Sequence, residues 1–308
     1  VPSSNVTDVA LTTTQLERDF RSGFWLRRRR ALGPLDLAVA RGGALGLLGP
    51  NGSGKSTLLR LCAGVDEPSR GAVRVLGLDP RSGAGRAATG LLADGFPYPG
   101  ELSGRAVLDL VARLRGVGAT RAERRRAVEH WLGRVGLAPH AGRAVARWST
   151  GMRRRLALAC AAVHEPALLL LDEPGAGLDA EGFAVLDEVL LEARARGATL
   201  VLCSHHGSEL FRHTRELCVL LGGRAAFRGS SDELAARARR LELEVELAPD
   251  GDAAGLARAV TASGAHLLAA RPASAATAAL YAELYAELGP EPDAELARAR
   301  ARAPQEPA

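Results

Sequence analysis

Leu45, Gly46, Leu47 and Leu48 form a short apolar run that ends in a glycine-rich turn. The spacing that follows predicts a helix over residues 56–63, stopped by Gly64. Residues 71–78 alternate in the manner of an edge hairpin, and residues 83–100, rich in glycine and proline, predict loop around one strand near Leu91. From about 101 to 163 the period becomes helical and the polar face fills with arginine, so a helical insert separates the first strand from the next. A strand at 167–171, a helix at 180–196 and strands at 198–202 and 217–221 then restore an alternation of the two types. Such alternation predicts an α/β fold built on a mainly parallel sheet, with an antiparallel edge hairpin and a helical insert.

Beyond Gly229 a helix at about 232–240 leads into a different pattern. Leu241, Leu243, Val245 and Leu247 alternate with Glu242, Glu244 and Glu246, which predicts a half-buried strand. A helix near 253–262, a strand near 266–270 and a helix near 276–288 complete a small C-terminal α+β appendage over 241–290. The tail 291–308, with its prolines and alternating alanine and arginine, is expected to be disordered. The division is thus a main domain over 1–240, with its helical subdomain at about 96–163, then the appendage and the tail.

Composition changes this picture in three places. No stretch approaches the roughly 20 uncharged apolar residues of a membrane-spanning helix, and residues 1–19 lack the basic start and apolar core of an export signal. A cytosolic chain, or one peripheral to a membrane, is expected. Cys62, Cys160, Cys203 and Cys218 sit far apart in apolar surroundings without metal-ligand spacing, and read as small buried hydrophobes. The net charge of +5 is carried almost wholly by arginine, for the chain has a single lysine, Lys55, against 39 arginines. A compositional pressure that removed lysine everywhere else makes the survivor informative, because arginine's planar fork cannot replace a compact ammonium in a narrow loop.

That lysine falls inside Gly49-Pro50-Asn51-Gly52-Ser53-Gly54-Lys55-Ser56-Thr57, which matches the phosphate-loop pattern between a buried strand and a helix. Glycines let successive N–H groups turn inward around a phosphate, the helix N-terminus adds partial positive charge, Lys55 reaches the β- and γ-phosphates, and Ser56 ligates Mg²⁺. Four leucines, Leu168 to Leu171, run into Asp172-Glu173-Pro174. An acidic pair at the C-terminal end of a central strand faces the phosphate loop in such sheets. Asp172 then belongs to the Mg²⁺ shell and Glu173 polarises the attacking water, while by themselves the two could also be a solvated turn.

Trp148-Ser149-Thr150-Gly151-Met152-Arg153-Arg154-Arg155-Leu156 resembles the signature motif of ATP-binding cassette (ABC) ATPases, and the similarity to that family runs from about Val9 to Leu234. The resemblance implies a P-loop NTPase cassette that binds ATP with Mg²⁺, hydrolyses it and works as a head-to-tail dimer. It also implies that Ser149 and Gly151 meet ATP held by the partner chain, and that Asp179, in Gly177-Leu178-Asp179, touches that partner. His205 follows a strand as the family's switch histidine does, with His206 a competing candidate. Phe20 stands where the family places an aromatic residue against adenine, or is a core phenylalanine. Two departures stand out. The family expects a glutamine on the loop after the strand near Leu91, yet Gln15 and Gln305 are the chain's glutamines, and Asp94 takes that place, as a candidate metal ligand. Met152 stands where the signature usually has glutamine, a variant of exporter subunits whose permease is a separate chain, and the appendage resembles their C-terminal extension in layout. The run Arg27 to Arg30 reads as a solvated loop, with contact to lipid headgroups or nucleotide the other reading.

These implications converge on the ATPase subunit of an ABC exporter, a homodimer or heterodimer at the cytoplasmic face of the membrane. It drives a separate polytopic permease and needs no nucleic acid. A soluble ABC ATPase acting on ribosomes or DNA and a weakly hydrolysing regulatory subunit are the alternatives.

Overall fold

The computed structural model describes residues 8–22, 27–93, 95, 99–205 and 212–237. Its strands are β1 (Val9–Ser22), β2 (Arg27–Ala40), β3 (Ala44–Leu48), β4 (Arg70–Val75), β5 (Thr89–Leu92), β6 (Leu168–Asp172), β7 (Thr199–Ser204), β8 (Glu216–Leu221) and β9 (Arg224–Ser230). Its helices are α1 (Lys55–Cys62), α2 (Gly83–Ala87), α3 (Gly104–Leu114), α4 (Arg121–Arg134), α5 (Thr150–Ala162), α6 (Ala180–Ala195) and α7 (Ser231–Arg237).

A six-stranded sheet in the order β5-β6-β7-β3-β8-β9 carries the molecule. Every pairing in it is parallel except β8 with β9. The leucine runs that predicted its strands are continuous because both faces are covered. Leu169, Leu171, Leu200, Leu202, Leu217 and Val219 face one core, shared with α3 to α6. The intervening Leu168, Leu170, Val201, Cys203, Cys218 and Leu220 face a second core, shared with α1 and a three-stranded antiparallel sheet, β2-β1-β4. Each fully buried leucine contributes about 1.5–3 kcal/mol, so this period-two division is the main source of stability. Burial pushes the Cys62 and Cys218 thiols up to about 12, which leaves them neutral packing groups.

The antiparallel sheet differs from the sequence expectation. Strand β4 pairs with β1, some sixty residues earlier, rather than closing a hairpin over 71–78; what remains of the hairpin is the tight turn joining Val75 and Leu78. The arginine run 27–30 opens β2 instead of forming a loop. Cross-strand charge makes this possible, since Arg30 bridges Glu17 at 3.1 Å and Asp19 at 3.2 Å. Within 83–100 the chain forms the helix α2 as well as β5, because Ser82 caps it by accepting from the Gly85 N–H. The appendage and the tail lie outside the described residues, as does 238–240 of the helix expected to reach 240. Among the described residues no helix is long and apolar enough to cross a membrane.

In the helical insert, Thr120 and Glu123 form a reciprocal cap on α4, and Arg105 joins α3 to α4 through Glu129 at 2.6 Å. Helix α3 approaches the connection between α4 and α5 closely at Gly104, where a Cβ would lie 2.0 Å from the Trp148 ring. Any side chain at that position would drive α3 away from the start of α5.

His164, on the turn after α5, places Nε2 3.2 Å from the Thr89 carbonyl. Burial first, and Arg115 second, push its pKa down from the ordinary 6.5 to about 4. Between these values the unfolded chain takes up a proton that the fold refuses, so the contribution is intact above about 6.5 and is lost as the pH falls towards 4. With allowance for solvent screening of this partly exposed ring, the loss from pH 7 to 5 is on the order of 1 kcal/mol. His164→Gln is expected to flatten that part of the melting temperature against pH curve, and an unchanged slope would exclude His164 as its cause.

Candidate active site

The phosphate loop is shaped by two strands and a turn. Gly49 leaves β3 so close to β8 that a Cβ would lie 2.4 Å from the Leu220 carbonyl oxygen. Gly54, at φ 103°, is the N-cap of α1, and a Cβ there would lie 2.7 Å from the Ala31 carbonyl oxygen. Residues with side chains are excluded at both positions by space, and at Gly54 by backbone conformation as well. The Gly223 N–H donates to the Ser53 carbonyl at 3.1 Å, so the loop is pinned to the turn between β8 and β9. No side chain caps the first turn of α1, which directs its N–H groups at the space the loop encloses. Lys55 is buried, and its Nζ donates to the Gly49 carbonyl at 2.7 Å and the Pro50 carbonyl at 3.1 Å. Asn51, Gly52 and Ser56 are exposed on the open side of the loop, with Thr57 half-buried. This cradle of glycines, uncapped amides and one ammonium suits a polyphosphate with its divalent cation.

Strand order brings the acidic pair to the same edge, because β7 lies between β3 and β6. Asp172 ends β6 and is buried. The buried thiol of Cys203, on β7, is pushed well up by burial first and by Asp172 next, with Lys55 opposing and Glu173 adding to the rise. One side chain thus senses the lysine of the loop and both carboxylates. Glu173 itself adopts φ +48°, a left-handed conformation that costs a non-glycine residue on the order of 1–3 kcal/mol. Its N–H donates to the Cys203 carbonyl at 2.9 Å. Its Oε2 lies 2.9 Å from Nδ1 of His205 and accepts from Ser204 Oγ at 3.3 Å. A carboxylate only accepts, so Nδ1 carries the proton of this pair.

Two further residues of this neighbourhood have no counterpart among the sequence candidates. Ser204 reaches the Glu173 carboxyl, and Arg154, buried on α5, donates from one Nη2 to the carbonyls of Asp172, at 2.8 Å, and of Glu173. Arg154 had a signal: it lies three and four residues before Ala157 and Leu158, on the buried face of α5, where a charge needs a partner.

Ser149, Gly151 and Asp179 form a second cluster. Ser149 is the N-cap of α5, with Oγ accepting from the Met152 N–H at 3.2 Å, and Asp179 is the N-cap of α6, accepting from the Gly182 N–H at 2.8 Å. The two helix starts meet where a Cβ on Gly151 would lie 3.1 Å from the Gly177 carbonyl oxygen. Phe20 stands apart on β1, partly exposed, with the Arg18 guanidinium 4.6 Å from its ring centroid. Asp94 and His206 lie outside the described residues.

A family model described as ABC transporter matches residues 32–176. Daunorubicin resistance ATP-binding protein DrrA3 of Streptomyces coeruleorubidus is 36% identical over 246 residues, which cover 79% of this chain and 75% of that protein. Nod factor export ATP-binding protein I of Sinorhizobium fredii is 33% identical over 229 residues, 74% of this chain and 64% of that protein. Among solved structures, an ATP-binding subunit of an ABC transporter superposes with a TM-score of 0.66 at 26% identity, over 90% of this chain and 99% of the other. Relatedness on this scale, extending well past the loop and the acidic pair, makes the chain a member of the ABC transporter family, as an ATP-binding subunit built on the α/β P-loop ATPase fold.

Proposed function

We propose that this chain is the motor subunit of an exporter and that residues 49–57 hold the phosphates of ATP, with Glu173 as the general base for the attacking water. The observation that carries the reading is the Glu173–His205 pair, 2.9 Å apart, at the edge of the sheet that also presents Lys55. In this reading the amides of the loop and of the first turn of α1 bind the phosphates, and Lys55 exchanges its loop carbonyls for phosphate oxygens. Ser56 and Asp172 would hold Mg²⁺, with Asp94 as a third ligand, and the ion would supply charge neutralisation on the β- and γ-phosphates. His205 fixes the Glu173 carboxylate and faces the γ-phosphate, while Glu173 takes the proton of the water. Phe20, already covered on one face by Arg18, offers the other to the adenine ring.

Ser149, Gly151 and Asp179 serve a partner chain. The N-terminus of α5 adds its dipole to the γ-phosphate bound by that chain, so two subunits close head to tail around two ATP molecules. The reading divides the chain into a cassette over 1–240, with its helical subdomain at 96–163, followed by an appendage and a tail. It places the cassette at the cytoplasmic face of a membrane beside a separate polytopic permease. Export is supported by relatives named for daunorubicin resistance and for Nod factor export, and by Met152 in the signature. The test is purification of the full chain from detergent-extracted membranes of its own cells. Recovery with a polytopic membrane protein is expected, and recovery with ribosomes or DNA instead would overturn the transporter reading.

A further inference from the structure

The catalytic carboxylate assigned above sits on a backbone that does not hold its shape unaided. Glu173 is in the left-handed region, and the chain immediately turns, with the Ala176 N–H donating to the Glu173 carbonyl at 3.0 Å. Three restraints converge on this one residue. Its N–H is tied to Cys203 on β7, its carboxyl to Ser204 and His205, and its carbonyl, together with that of Asp172, to the guanidinium of Arg154. The first two come from β7 and the residue that follows it. The third comes from α5, the helix that begins at the signature segment.

We propose that Arg154 is a positioning residue for Glu173: it clasps two successive carbonyls at the end of β6 and so fixes the direction in which the Glu173 side chain leaves the backbone. The reading rests on Glu173 as general base. A guanidinium suits the task because its donors lie in one rigid plane and its charge does not depend on pH. Two successive carbonyls held at one point fix the rotation of the peptide between them, hence the Cα–Cβ direction of Glu173. Arg154 lies five residues into α5 from Ser149, about 7.5 Å along a rigid helix. The end of α5 that faces a partner's nucleotide and the carboxylate of this chain's own site are therefore joined by one helix and one side chain. The neighbours Arg153 and Arg155 do not share the role, for Arg153 is exposed and Arg155 reaches the Val135 carbonyl and Glu181 instead.

Steady-state ATP hydrolysis by the full-length protein tests this with Arg154→Met, Arg154→Lys, Glu173→Gln and the double variant Arg154→Met/Glu173→Gln. Misplacement of a base by a fraction of an ångström lowers turnover without touching the phosphate cradle, so Arg154→Met is expected to lose about tenfold or more in kcat with KM for ATP within about twofold. Arg154→Lys, able to reach one carbonyl, recovers part of the loss. With the base already removed, the arginine has nothing to position, so the double variant turns over at the rate of Glu173→Gln alone. Wild-type kcat in Arg154→Met, a loss of kcat matched by loss of ATP binding in a variant that keeps its helical circular dichroism, or losses that multiply in the double variant would overturn the proposal. If Arg154→Met does not fold, Arg154→Lys decides alone: kcat reduced at unchanged KM supports the clasp, and unchanged kcat refutes it. Turnover by Glu173→Gln at the wild-type rate would instead refute Glu173 as the base, and the clasp with it.

Discussion

Glu173→Gln is expected to leave ATP bound and to slow its hydrolysis by roughly 10² or more, the scale on which removal of a general base is felt. The substitution keeps the length of the side chain and an acceptor oxygen for Ser204 and His205, so the left-handed turn at 173 and its ties to Cys203 and Arg154 have no reason to relax. What is lost, on the proposed assignment of Glu173 as general base, is the ability to take a proton from water. ATP then persists in the closed state, and the variant accumulates as a head-to-tail dimer on gel filtration in Mg-ATP. A monomer under those conditions would remove the two-chain site from the proposal, and hydrolysis at the wild-type rate would remove Glu173 from catalysis.

Lys55→Arg is expected to fail nearly as badly as Lys55→Ala. Lys55 is 5% exposed, and its Nζ is held by two loop carbonyls at 2.7 and 3.1 Å, so the pocket these carbonyls form receives a single nitrogen. A planar guanidinium spreads its charge over three nitrogens and cannot fill that pocket without pushing the loop off β8, where Gly49 already lies too close for a Cβ. Loss of a charge-assisted contact to the phosphates is worth about 1.5–3 kcal/mol, so ATP affinity falls by roughly tenfold to a hundredfold. Titration with a fluorescent ATP analogue measures this directly. Affinity within about twofold of wild type in the arginine variant would mean that the lone lysine has no special place in the loop.

The parallel strands were legible because burial on both faces leaves an unbroken apolar signal, all leucine at 168–171 and leucine, cysteine and valine at 217–221. The antiparallel sheet was not. Strand β1 shifts register between Val9 and Leu11 and again between Thr13 and Leu16, and Gln15 takes φ 44°, so its inward residues do not keep a period of two. Strand β9 hid for another reason, since an edge strand with Phe227 as its one buried residue carries almost no pattern. In the site, the loop and the acidic pair were legible from local spacing, and His205 from its place after a strand. Ser204 and Arg154 were missed because their roles arise from tertiary contact: 31 residues separate Ser204 from Glu173, and 19 separate Arg154 from it.

The cradle around Lys55 also gives the molecule an unusual chemical surface. Thirty-nine guanidiniums and a single side-chain amine mean that an acylating reagent such as an activated ester finds one lysine, and finds it behind the carbonyls of Gly49 and Pro50. Acylation at that position therefore clocks the opening of the loop itself, with no background from other lysines.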